Sequence, residues 1–241
     1  MKKFNTFFLI LTLSTGCSQE IISSKYAESI NSNDLKDLLS IYSSDDFEGR
    51  QTGTKGDRTA ANFLRDFYIS NKIEPALNTI DYFQPYQLNL PGKMFTYNYS
   101  FPSTVRAYDR YAQGENFVDT QNVASVIEGE IYPESYLIIT GHLDHVGING
   151  DEVYNGADDN GSGTVSILEI AQAFQEAVED GVRPKRSVVF LHVSGEEEGL
   201  LGSEYYVNNS LYPLENTFAT LNLDMIGRTD PNRGYEDEEY V

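Results

Sequence analysis

Apolar residues recur along this chain with two periods, and each change of period marks a new element. Leu35, Leu38, Leu39 and Ile41 fall on one stripe of a short helix over 33–42, with Asn33 or Asp34 placed to cap it. Ala60, Ala61, Phe63, Leu64, Phe67 and Tyr68 repeat at helical spacing and predict an amphipathic helix over 56–70, ended by Ile73-Glu74-Pro75. Between the two helices, Ser44 to Thr54 reads as a turn-rich loop with two glycines. Tyr82–Leu90 alternates and is aromatic, which predicts a strand. Residues 91–121 show no clear period and are expected to form short strands or a surface excursion. The pattern then sharpens. It gives strands over 122–127, 136–140, 187–193 and 218–223, a helix over 163–177, and a further helix starting over 202–208. Strands alternating with helices predict an α/β fold, a mainly parallel mixed sheet flanked by helices on both faces.

The N-terminus departs from this alternation. Met1-Lys2-Lys3, an apolar stretch from Phe7 to Leu13 and then Ser14-Thr15-Gly16-Cys17 form an export signal, too short to span a membrane as a mature helix. Cys17 is the only cysteine, so an internal disulfide is excluded. It resembles the lipid-modified cysteine of a bacterial lipoprotein, although the place three residues before it holds Ser14 rather than the usual leucine. This implies a signal peptide over 1–17 ending at lipidated Cys17, a polar tether over 18–32 and a catalytic domain over 33–241. The expected location is the cell envelope, anchored to the membrane through lipid.

Composition narrows the partners. Seventeen basic against thirty-seven acidic side chains give a formal charge of −20, which repels phosphate backbones and excludes nucleic acid as a natural partner. Most of that charge serves as solvated surface. Some of it gathers in segments that each follow an expected strand. These are Gly141-His142-Leu143-Asp144-His145, Gly156-Ala157-Asp158-Asp159-Asn160, Gly195-Glu196-Glu197-Glu198 and Leu223-Asp224-Met225. Ligands bind open α/β sheets at the carboxyl ends of strands, so the four clusters are expected to meet in one crevice.

The chemistry open to such a set is narrow. There is no Gly-x-Ser-x-Gly elbow, no cysteine outside the leader and no Gly-rich loop ending in Lys-Ser or Lys-Thr. An imidazole with several carboxylates is a ligand set that zinc accepts. Two metals side by side need a shared anionic bridge, and one carboxylate must stay off the metals to take a proton from water. The adjacent pair Glu196-Glu197 suits that division, because neighbouring side chains point in different directions.

Five motifs in order, D-F-E-G-R-x-T-G-T, G-H-x-D-H, G-A-D-D-N-G-S-G, S-G-E-E-E-G-L-L-G-S and N-L-D-M-I-G-R, resemble those of the di-zinc peptidase family numbered M-twenty-eight. The resemblance covers about residues 40–75 and 120–228. It implies peptide substrates and a site of two Zn2+ ions. His142 and Asp224 would bind one ion and Glu197 the other, with Asp158 bridging both. Glu196 would be the general base, and the Asp144 carboxylate would accept the second ring N–H of His142. Asp159 would give geometric support, His145 would stand outside the metals, His192 would be a buried core residue, and Gly49-Arg50 would lie near the substrate rim. The family's remaining ligand is a histidine far downstream, and no histidine follows His192. The expectation is therefore a fold incomplete at its C-terminus, in a chain truncated before that residue. The implied activity is an aminopeptidase. A carboxypeptidase or glutaminyl cyclase of the same fold is the enzymatic alternative, and a non-catalytic peptide-binding envelope protein the other.

Overall fold

The computed structural model describes residues 25–89 and 117–229. The signal segment, Cys17, the first part of the expected tether and the aperiodic stretch from 90 to 116 lie outside the described residues. Helix α1 spans Ser32–Tyr42, and its cap is Asn31, two residues ahead of the sequence expectation. The Asn31 side chain accepts the backbone N–H groups of Asn33 and Asp34 at 3.0 and 3.1 Å. A tight 3-10 segment over Asp45–Arg50 leads to α2, Lys55–Ser70. Strands β1 (Glu74–Pro75), β2 (Phe83–Asn89), β3 (Phe117–Ile127) and β4 (Tyr132–His142) follow, then a small hairpin of β5 (Gly147–Asn149) and β6 (Glu152–Tyr154). A π-type turn over Ala157–Ser162 runs into α3, Gly163–Glu179. Strand β7 (Arg186–Val193), helix α4 (Leu201–Asn208) and strand β8 (Thr217–Asn222) complete the described fold.

The sheet is mixed. Its order is β1-β3-β7-β4-β8, with β2 also paired to β3. Strands β7, β4 and β8 run parallel, while β1, β2 and β7 all meet β3 antiparallel. The antiparallel part is larger than the pattern suggested, because β3 starts at Phe117 and pairs along the whole of β2. Alternation along β7 divides the core. Val188 and Phe190 pack under α1, α2 and α3, whereas Val189, Leu191 and Val193 face Tyr206 of α4 with Leu211 and Tyr212. Helices therefore cover both faces. Among the described residues strand β8 pairs only with β4, and its Phe218 is 66% exposed.

Arg50 is fully buried rather than at a rim. Its guanidinium donates to four main-chain carbonyls: Leu143 at 3.0 Å, Tyr42 at 3.1 Å, Asn155 at 2.7 Å and Gly156 at 2.8 Å. The cation also lies 4.6 Å from the Tyr42 ring centroid. Burial lowers the Arg50 pKa, opposed by the charges of Tyr42, Asp144, Asp159 and Glu197. Asp57 at the start of α2 is equally buried. It accepts from the Gly53 amide at 3.0 Å, the Thr120 hydroxyl at 2.8 Å and the Ser194 hydroxyl at 2.9 Å. Burial raises the Asp57 pKa to about 7 against those three donors.

Two measurements test these buried charges. Arg50→Ala orphans several carbonyls at once and is expected to lower unfolding free energy in urea by about 3–5 kcal/mol, with Arg50→Lys restoring only part of the loss. In the unfolded chain Asp57 releases its proton near 3.8, and in the fold near 7, so the fold holds a proton across that window that the unfolded chain has lost. The wild-type chain should gain stability relative to Asp57→Asn as pH falls from 7 toward 4, at roughly 1.4 kcal/mol per pH unit. A constant difference between the two proteins across that range would mean that Asp57 is ionised throughout.

Candidate metal centre

The crevice lies at the carboxyl ends of β4, β7 and β8, and each side chain in it is delivered by a different local device. His142 is the last residue of β4 and is buried. Its Nδ1–H donates to the main-chain oxygen of Asp144 at 3.1 Å, and because that oxygen can only accept, the Nε2 lone pair is left for the crevice. Nε2 lies 3.1 Å from Asp159 Oδ1 and 3.6 Å from Asp224 Oδ1, yet it is buried and makes no hydrogen bond. Burial works against a charged imidazole here. The Asp144 and Asp159 carboxylates overcome it, with Glu196 adding, and push the His142 pKa up to about 11.

The Asp144 carboxylate stands 3.6 Å from the imidazole and is turned the other way. It accepts the Thr52 hydroxyl at 3.0 Å and the backbone amides of Glu196 and Glu197 at 3.2 and 3.4 Å. Asp144 thus fixes His142 through its main chain and the Glu196-Glu197 segment through its side chain. The expected carboxylate-to-imidazole contact is replaced because two amides and a hydroxyl compete for those oxygens.

The structure separates the two adjacent aspartates in a way the sequence reading did not. Asp158, expected as the bridge, faces out of the crevice. Its carboxylate takes Arg228 Nε at 2.8 Å, the Gly227 amide at 3.0 Å and the Ser162 hydroxyl at 3.4 Å. Asp159 is the carboxylate brought between His142 and the Glu197 side of the site, and the peptide that follows it is cis. The adjacent His142 imidazole lowers the Asp159 pKa, burial raises it, and the charges of His145 and Arg50 lower it further.

Asp224 sits just past β8, on a loop clamped from the π-type turn. Asn160 Nδ2 donates to the Leu223 carbonyl at 2.9 Å, Asn160 Oδ1 accepts the Met225 amide at 3.2 Å, and the Ser162 hydroxyl accepts the Ile226 amide at 3.1 Å. Gly163 is required at this crossing, since a Cβ there would stand 2.3 Å from the Leu223 oxygen. Glu196 and Glu197 follow Ser194 and Gly195 at the end of β7. Burial raises the Glu196 pKa, His142 lowers it, and the Asp144, Glu197 and Asp224 charges raise it again. That direction suits a group that must take up a proton near neutral pH.

Ligand-bearing atoms group in two sets, each mutually within 4.8 Å: His142, Asp159 and Asp224 in one, and His145, Asp159 and Glu197 in the other. Asp159, expected only as geometric support, belongs to both sets, and His145, expected outside the metals, lies within the second. The only clue to the first was that Asp158 precedes Ser162 by one helical turn. The residues fit a divalent cation: a buried imidazole nitrogen without a hydrogen-bond partner faces two carboxylates, an imidazole-and-carboxylate donor set that zinc accepts. His192, also buried, contacts the Tyr68 hydroxyl through Nε2 at 2.6 Å and takes no part in either set.

With this geometry in view, the sequence model of Peptidase family M28 matches residues 122–240 of this chain. A leupeptin-inactivating enzyme of Streptomyces exfoliatus is 42% identical over 105 residues, covering 43% of this chain and 22% of that protein. An aminopeptidase from Aneurinibacillus sp. strain AM-1 superposes with a TM-score of 0.63 at 15% identity, covering 86% of this chain and 73% of that one. A zinc aminopeptidase from Bacillus subtilis gives a TM-score of 0.57 at 16% identity, covering 81% and 69%. The described chain therefore shares its fold with those two solved structures. Across the curated relatives, the chain spans between 15% and 28% of their length.

Exchanging each aspartate separates their roles. By calorimetric Zn2+ or Co2+ titration, Asp159→Asn is expected to weaken binding at least about 100-fold, and Asp158→Asn, which only frees the loop behind Asp224, by about 10-fold or less. Equal losses in the two variants would contradict the geometry.

Proposed function

We propose that this chain is a zinc-dependent exopeptidase of family M28 that releases N-terminal residues from peptides, exported and held at the cell envelope by lipid on Cys17. The observation that carries the reading is the convergence of His142, Asp159, Asp224 and Glu197 around one crevice, with Glu196 beside them on the segment that Asp144 positions. His142, Asp159 and Asp224 would hold one zinc ion, with Asp159 shared toward Glu197. Zinc bound there supplies a Lewis acid that polarises the scissile carbonyl and makes the attacking water more acidic.

The chain's own groups do the rest. Glu196, its pKa raised by burial and by neighbouring carboxylates, takes the proton from the attacking water and passes it to the leaving amine. Holding Glu196 falls to Asp144, whose carboxylate accepts the Glu196 amide. The His142 tautomer is fixed by the Asp144 carbonyl, so Nε2 never has to exchange its role during turnover. The acidic lining of the crevice attracts a free α-ammonium group, which supports release from the N-terminus over action at a free carboxylate. No helix among the described residues is long and apolar enough to cross a membrane, so attachment would rest on Cys17.

Activity on aminoacyl chromogenic substrates should vanish with a chelator and return with Zn2+. Glu196→Gln is expected to lower kcat by about 10²–10⁴-fold while metal content stays at the wild-type value. Equal cleavage of N-blocked and free-amine peptides would exclude an aminopeptidase, and turnover unaffected by Glu196→Gln would remove the base from this scheme.

A further inference from the structure

We infer that Asn122, a buried side chain of β3, is the positioning residue that closes the loop from Ser194 to Gly202 and so fixes where Glu196 and Glu197 stand. The inference rests on the reading of Glu196 as the base of this crevice and names what holds it besides Asp144. One side-chain amide meets both ends of the loop. Asn122 Oδ1 accepts the Ser194 backbone amide at 3.1 Å, and Nδ2 donates to the Gly202 carbonyl at 3.0 Å. The rest of its capacity is also used: Oδ1 accepts the Tyr86 hydroxyl at 3.2 Å, and Nδ2 donates to Gln84 Oε1 at 3.0 Å. Asn122 is fully buried.

The chemistry of the two ends decides the residue type. A backbone amide can only donate and a carbonyl can only accept, so the group between them must offer an acceptor and a donor on one short fork. Asparagine does so. An aspartate carboxylate would set a second acceptor against the Gly202 carbonyl, and leucine would leave both ends unpaired. Close approach is built into the loop as well, since a Cβ on Gly202 would run into the Ser194 oxygen and stand 2.6 Å from Asn122 Oδ1. Ser194 is gripped at its other polar groups, its carbonyl by the Tyr86 hydroxyl at 2.7 Å and its own hydroxyl on Asp57 at 2.9 Å. Between the ends the chain takes a costly path. Gly195, Gly199 and Leu200 all have positive φ, and Leu200, at +64°, has a side chain to accommodate. Such a turn persists where its surroundings over-determine it. Glu196 and Glu197 ride on it. Displacing a catalytic group by about 1 Å can cost about 100-fold in rate, so a residue that shuts this loop governs turnover without touching the reacting atoms.

The competing explanation is that Asn122 is one more satisfied polar group supporting the sheet. Two readings of the full chain separate the explanations: backbone amide exchange without added metal, and kcat and KM on an aminoacyl chromogenic substrate at saturating Zn2+. They are compared in Asn122→Ala and Gln84→Ala, the second of which takes a buried hydrogen bond from the same cluster and leaves both loop ends tied. Asn122→Ala is expected to speed exchange over 194–202 by about 10-fold or more while the amides of α2 keep their wild-type rates. Its kcat should fall by about 10–100-fold with KM within about threefold of wild type. Gln84→Ala should keep wild-type exchange over 194–202 and wild-type kcat. Equal behaviour of the two variants, or an Asn122→Ala chain with wild-type exchange there or wild-type kcat, would overturn the inference and leave the proposed function standing. If the alanine variant unfolds, Asn122→Ser, whose hydroxyl is too short to span both ends, gives the same readings. Unfolding of both would make Asn122 a support of the whole sheet and defeat its local role. A wild-type chain that cleaves no substrate would instead defeat the proposed function, and the exchange rates alone would then decide whether Asn122 closes the loop.

Discussion

The metal crevice depends on a cation buried behind it. A guanidinium taken wholly out of water is costly, and it persists only where its donors are matched by acceptors held in place. Arg50 meets that condition with the carbonyls of Tyr42, Leu143, Asn155 and Gly156, which come from the end of α1, the segment after β4 and the segment before the π-type turn. Of those three segments only the one after β4 is tied to the main sheet, through the Leu143 amide on the Val193 carbonyl at 2.8 Å. Sharing one planar fork makes their relative position an all-or-none matter, and His142, Asp144, His145 and Asp159 are suspended from them. The Arg50 charge also acts through space on Asp144, Asp159 and Glu197, easing the crowding of carboxylates in front of it.

That crowding explains why neighbouring acids divide their work. Asp158 and Asp159 are adjacent, as are Glu196 and Glu197, and in each pair one step along the backbone changes the direction of the side chain. Asp158 turns outward and ties down the Gly227-Arg228 loop, while Asp159 turns inward between the two ligand groups. Asp144 spends its carboxylate on backbone amides and its carbonyl on an imidazole. Only the inward members would feel a bound cation. The outward members fix where the inward ones stand, and removing either kind weakens the site for different physical reasons.

Much of this was legible in the sequence, and what was not has a common cause. Helical stripes such as Ala60-Leu64-Tyr68 and the apolar run of β7 are strong periodic signals, and both elements appear within a residue or two of their expected limits. The segments at His142, Glu196-Glu197 and Asp224 do follow strands of the main sheet, whereas Gly156–Asn160 follows the small β5–β6 hairpin instead. Which aspartate of the Asp158-Asp159 pair faces inward was not readable, since the turn holding them is neither a helix nor a strand and has no period to set its phase. Arg50 was equally hidden. An arginine among Glu48, Gly49 and Gln51 looks like surface, and its burial follows from carbonyls about a hundred residues away along the chain. The contact of His145 with Glu197 is equally one that no linear spacing displays.

Asp224 stands two residues past β8, and the Leu223 amide before it is held by the Thr140 carbonyl of β4 at 2.8 Å. Strand β8 is an edge, its apolar residues Phe218 and Leu221 are exposed, and it pairs only with β4 among the described strands. What positions Asp224 is the set of hydrogen bonds from Asn160, Ser162 and Asp158 to residues 223–228, so the turn that carries the shared carboxylate also carries the loop of its partner. A cation joining Asp159 to Asp224 would close that arrangement from the other side, adding a link between β8 and the body of the fold where the strand pairing is thin. Binding energy that falls on the native arrangement alone is folding stability by linkage. The ligand set and the placement of the loop after β8 are therefore one problem in mechanics, because the same six-residue turn serves both.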